Sequence, residues 1–129
     1  MVLFESSAHI AKELRDVEQT NIRAIKNHIL EITPTGGTNM EAGYNAGTRL
    51  LRQYKRADKG EYENRIIFLT DAMPNTGRIG KEDLFGLTKT NADNGIYTTF
   101  IGIGVGHGVS QKYNPIFILT LICLLVLPQ

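Results

Sequence analysis

Apolar positions along this chain repeatedly change period, and each change marks a new element. Val2-Leu3-Phe4 is a short apolar run, and Ala8 to Leu14 partly alternates, with Ile10 and Leu14 on one side and His9, Glu13 and Arg15 on the other. A short apolar run followed by period-two alternation predicts a hairpin at a sheet edge. Beyond Asp16 the steps lengthen to three and four: Ile22, Ile25, Ile29 and Ile32 form a stripe, with Arg23, Lys26 and Asn27 turned away from it. That spacing predicts an amphipathic helix, which Pro34 ends.

Thr35-Gly36-Gly37-Thr38 reads as a turn, and Thr38 with Glu41 fits a capping box that opens a second helix over 39–55. Its inner stripe is Met40, Gly43, Tyr44, Gly47, Leu50, Leu51 and Tyr54. Two glycines in a helix interior cost about 1 kcal/mol each in propensity, so they imply close packing of the helix on a sheet. The stretch 57–64 is charged and reads as a solvated loop. Arg65-Ile66-Ile67-Phe68-Leu69-Thr70 is a continuous run of β-formers, the pattern of a strand buried on both faces of a parallel sheet. After a loop at Met73 to Gly77, residues 81–93 form a helix through Leu84, Phe85 and Leu87, and Asn94-Gly95 closes it. Residues 96–104 then form another buried strand. Strand, helix and strand in about forty residues make a βαβ crossover, hence a parallel pair of right-handed connection. The fold class is α/β, an open, mostly parallel Rossmann-like sheet with flanking helices.

Composition narrows the function. Fourteen basic residues against thirteen acidic ones leave a net charge of +1, which provides no field to attract a nucleic acid. Cys123 is the only cysteine, so neither an internal disulfide nor a thiolate metal site can form. The start has no basic flank or sustained apolar region of the signal-peptide kind, and the compartment stays unassigned. Residues 116–127 are almost wholly apolar, but a spanning helix needs about 20 residues. Three readings of this tail are open: a core strand, a weakly membrane-associating segment, or out-of-frame sequence. Membrane contact is not favoured, because no basic residues flank the tail.

In open α/β sheets, ligands collect beyond the carboxyl ends of the strands, where loops and helix N-termini converge. Thr38 brings a hydroxyl to that edge and Asp71 a carboxylate. Both are hard oxygen donors suited to Mg²⁺, Mn²⁺ or Ca²⁺, although two oxygens alone hold such an ion only weakly. Residues 32–39, Ile-Thr-Pro-Thr-Gly-Gly-Thr-Asn, and residues 66–77, Ile-Ile-Phe-Leu-Thr-Asp-Ala-Met-Pro-Asn-Thr-Gly, resemble the second and third parts of the metal-ion-dependent adhesion site of von Willebrand factor A domains. The opening residues 2–8 are similar to that family's second strand and the turn into its third. The resemblance runs from about Met1 to Val105. It implies that Thr38 is a hydroxyl ligand and Asp71 its carboxylate partner, direct or through water. It also implies an open coordination position that accepts an acidic side chain from a protein ligand, in an adhesion or assembly role and without catalysis. Family members are often extracellular or membrane-anchored.

The family's Asp-x-Ser-x-Ser motif does not occur in this chain. The resemblance therefore implies a partial domain over 1–105, lacking the first central strand and the last helix and strand, followed by an atypical linker and apolar tail over 106–129. Without that strand, the strands beginning at Val2 and Arg65 lose the neighbour between them. The alternatives are a small-molecule or phosphate-binding α/β domain that uses the helix N-terminus at Gly37-Thr38, or a structural remnant that binds nothing. Other motifs fail on spacing. Gly102-Ile103-Gly104-Val105-Gly106-His107-Gly108 lacks the third glycine of a dinucleotide fingerprint, and no lysine precedes Thr38 as a phosphate loop requires. Ser6 or Ser7 with His9 and Asp71 has no nucleophile elbow to support a triad.

Overall fold

The computed structural model describes residues 1–33, 36–54, 62–70, 81–102 and 121–128. In chain order the elements are β1 (Val2–Phe4), β2 (Ala8–Ile10), a 3-10 turn (Val17–Gln19), α1 (Ile22–Glu31), α2 (Met40–Leu51) running into a second 3-10 turn (Arg52–Tyr54), β3 (Tyr62–Thr70), α3 (Lys81–Asp93), β4 (Ile96–Gly102) and β5 (Leu121–Pro128). Among the described residues the chain is mixed α/β, with three helices and an open sheet.

The sheet has two local pieces. β1 and β2 are the expected antiparallel hairpin, with Leu3 opposite His9. β3 and β4 are the expected parallel pair, with Phe68 opposite Phe100, joined through α3. Between the pieces runs β5, antiparallel to both β1 and β3, which gives the order β2-β1-β5-β3-β4. The expectation of a mostly parallel sheet is corrected here, because three of the four pairings are antiparallel. The reason is the tail: a strand inserted between β1 and β3 satisfies ladder hydrogen bonds that both would otherwise leave open. Of that tail, Leu121–Pro128 is a strand of the sheet. No helix among the described residues is long and apolar enough to cross a membrane.

The core forms on one face. Val2 and Phe4 of β1, Ile66 and Phe68 of β3, and Ile96 of β4 are buried against Met40, Tyr44, Leu50 and Leu51 of α2, and Leu84 and Leu87 of α3 pack at its margin. Phe68 is its centre, with ring centroids 4.7 Å from Phe4, 6.5 Å from Tyr44 and 5.4 Å from Phe100. α2 and α3 both pack on this core and are tied by Asn91 Nδ2 donating to Thr48 Oγ1 at 2.6 Å. Tyr44 Oη meets Thr98 Oγ1 of β4 at 2.7 Å. Gly43 makes the close approach inferred from the sequence, for a Cβ there would lie 2.6 Å from Phe4 Cγ.

Three further expectations are corrected. β3 is not buried on both faces: Asn64, Ile66 and Phe68 are buried, whereas Arg65, Ile67 and Leu69 between them are half-buried. β4 is an edge strand, with Tyr97, Phe100 and Ile101 each more than 40% exposed. For β3, and for Tyr97 and Ile101 of β4, the cause is that helices pack on a single side, whereas Phe100 lies on the helix side and is exposed by its place at the sheet edge. Phe85, expected on the inner stripe of α3, is exposed. The helix end is as expected: Gly95 adopts φ 75° and its N–H returns to the Ala92 carbonyl at 2.9 Å.

Candidate functional site at the carboxyl edge of the sheet

β1 and β3 are each antiparallel to β5, so they point the same way, and β4 is parallel to β3. The carboxyl ends of β1, β3 and β4 therefore share one edge. Leu3 and Leu69 both pair with Leu121, which puts Phe4 level with Thr70. Two strand spacings separate those residues, about 10 Å.

At this edge the turn after β1 folds against the entry to α2. The Glu5 carbonyl accepts from Asn39 N at 2.6 Å, and the Ser6 carbonyl from Asn39 Nδ2 at 3.1 Å. Ser6 Oγ accepts from Gly37 N at 2.9 Å. Gly36 adopts φ 71°, a left-handed conformation that side chains disfavour, and the Glu5 carboxylate and Ser6 hydroxyl lie where its Cβ would be. The positive φ favours glycine at this position, whereas the Glu5 and Ser6 side chains could turn aside from a Cβ.

Thr38 lies within this junction and is 3% exposed. It is not the helix cap. Asn39 is, its Oδ1 accepting from Ala42 N at 3.0 Å, so the capping box assigned to Thr38 and Glu41 is one residue out of register. Asparagine is at least as good a cap as threonine, and here its amide also anchors the β1 turn. Asp71, the second residue expected at the site, lies outside the described residues, as does the loop that follows it. The chain positions Thr70, the last residue of β3, at the same edge as Thr38.

Glu5 is the residue that sequence reasoning passed over. Its carboxylate accepts from Ser6 N at 2.7 Å and Ser7 Oγ at 3.0 Å. These bonds, the Ser6 backbone first and the Ser7 hydroxyl next, hold its carboxyl below the usual glutamate range. A carboxylate and serines directly after a strand that reaches the same edge were the available signal. The edge thus carries Glu5, Ser6, Ser7 and Thr38, all hard oxygen donors of the type Mg²⁺ or Ca²⁺ takes. Among the described residues no group of three or more His, Cys, Asp or Glu side chains comes together to hold a metal, so the donor set there fits a cation in kind but not in number.

An anion meets a different environment at the same place. The N–H groups of Gly37, Asn39 and Ala42 already donate within the protein, and an ionised Glu5 lies over Gly36. A phosphate at Gly37-Thr38 would find those donors taken and a like charge beside it. No family model matches the chain. No solved structure matches it either.

Proposed function

We propose that the chain is a von Willebrand factor A-like, cation-dependent protein-binding module, with Thr38 and Asp71 contributing the hydroxyl and the carboxylate of an incomplete metal site. The ion is Mg²⁺, Mn²⁺ or Ca²⁺, bound weakly, and the partner is a protein that offers it an acidic side chain. The chain itself performs no catalytic step. The observation that supports this reading is the junction at Thr38, which packs on the turn after β1 at the edge where the carboxyl ends of β1 and β3 lie. Thr38 needs no capping role to explain it, since Asn39 serves that purpose.

Mn²⁺ titration followed by water-proton relaxation tests the proposal. The expected result is weak binding that falls about tenfold or more in Asp71→Ala and in Thr38→Val, since each removes one of few ligands. Unchanged Mn²⁺ binding in Asp71→Ala, with the fold intact by circular dichroism, would remove Asp71 from the site and the reading with it.

A further inference from the structure

The two edges of the sheet differ in kind. β2 has three residues, includes His9, and is followed after Ala11 by Lys12 and Glu13. It is short and flanked by charge, as protected edges are. β4 has seven residues, Ile-Tyr-Thr-Thr-Phe-Ile-Gly, with no charge and no proline. Among the described residues it pairs only with β3, leaving the hydrogen-bonding groups of its outer side to be met from elsewhere. Tyr97, Phe100 and Ile101 are each 43–44% exposed along it. Such an edge is a template for another strand.

Its own sequence says which strand fits. Two copies of β4 set antiparallel about a two-fold axis at Thr99 place Tyr97 opposite Ile101, Thr98 opposite Phe100, Thr99 opposite Thr99, and Ile96 opposite Gly102. Aromatic with β-branched and threonine with threonine are favourable cross-strand pairs, and no like charges meet. Arg65, the nearest cation on β3, is already paired with Glu63 at 2.5 Å and donates to Thr99 Oγ1 at 2.9 Å, so it adds no repulsion across the axis. Beside β4 lies a depression of about 410 Å³ lined in part by Phe85, Thr98 and Phe100. A partner's Phe100, opposite Thr98, falls on that side, next to Phe85, which is 70% exposed.

From this we infer that β4 is a self-pairing edge, and that two copies of the chain associate through it as a two-fold dimer with one continuous sheet. Such an isologous contact closes on itself and stops at two copies. The inference concerns the edge opposite β2 and does not depend on the cation site.

Sedimentation velocity of the full chain across a concentration series tests it, paired with cysteine cross-linking. The expected result is a reversible monomer and dimer. In Ile101→Lys the dimer dissociation constant should rise about tenfold or more, because the substitution enters a two-fold interface twice; circular dichroism should stay unchanged. In a Cys123→Ser background, Thr99→Cys should form a disulfide-linked dimer on oxidation, whereas Phe85→Cys should not, which keeps the register testable if Ile101→Lys folds poorly. A monomer at every concentration, open-ended oligomers, or a dimer indifferent to Ile101→Lys would overturn the inference.

Discussion

α1 and α2 begin alike and end differently. Each opens on an asparagine whose side chain accepts from the third helical residue, Ala24 N at 2.9 Å in α1 and Ala42 N at 3.0 Å in α2, and each carries an apolar stripe. Yet α2 buries eight of its twelve residues and α1 none of its ten. Leu30 of α1 is 83% exposed, and Leu51 of α2 is wholly buried. What separates them is shape. α2 has Gly43 where the Phe4 ring must pass, so its axis approaches the sheet closely. Ile22 of α1, the first residue of its stripe, is more than half exposed, and the helix has no extensive contact with any other described element. An amphipathic stripe therefore states which side a helix would bury, and complementary surface decides whether it does.

The comparison can be broken most sharply with one side chain in two places. Leu51→Ala should cost about 2–5 kcal/mol, the range for emptying a core site, and Leu30→Ala should stay within about 0.5 kcal/mol; urea unfolding measures both. Comparable losses would mean that α1 carries core weight after all. Gly43→Ala comes next. A gain of about 1 kcal/mol in helix propensity opposes an overpacking cost of about 1–3 kcal/mol against Phe4, so a net loss on the order of 1 kcal/mol is expected. A gain in stability would show that the Phe4 ring moves aside easily.

The caps give a smaller contrast. Asn39→Ala should lower global stability by about 1 kcal/mol. Asn21→Ala should instead speed amide hydrogen exchange within α1 and leave the unfolding midpoint nearly unchanged, because α1 opens without unfolding the core. Smallest is the effect of pH at Glu5. Its native pKa is lowered by the Ser6 and Ser7 hydrogen bonds, so its contribution is present above the ordinary glutamate range and fades as pH falls through the lowered native value. An NMR titration of its side-chain carboxyl carbon should place the midpoint below that of a model peptide, and Ser7→Ala should move it back up.

Much of this fold was legible because local chemistry and tertiary fate agree. Lys81 to Asp93 with its Gly95 stop, the α2 stripe, the β1 and β2 hairpin and the parallel β3 and β4 all follow from period and turn residues. The illegible parts depend on distant neighbours. A run such as Leu121 to Leu127 has no period to declare its role, and only the opening between β1 and β3 makes it a strand. The apolar run of β3 reads as doubly buried because periodicity cannot reveal that helices cover one side only. At the candidate site, Thr38 and its glycine turn were visible, whereas the role of Asn39 as cap was hidden by a competing threonine one residue earlier. Glu5 was hidden because nothing local shows that its carboxylate reaches Gly36.

The placement of β5 also sets an order of assembly. Hairpin and crossover can each form from nearby chain, but the strand that joins them pairs Val2 with Ile122 and closes nearly the whole polypeptide into one loop. Contacts so far apart return nothing until that closure is complete, which slows folding and leaves two half-sheets with open edges in the meantime. Stopped-flow refolding should therefore show the Tyr44 and Phe68 region acquiring structure before the β1 and β5 amides become protected from exchange.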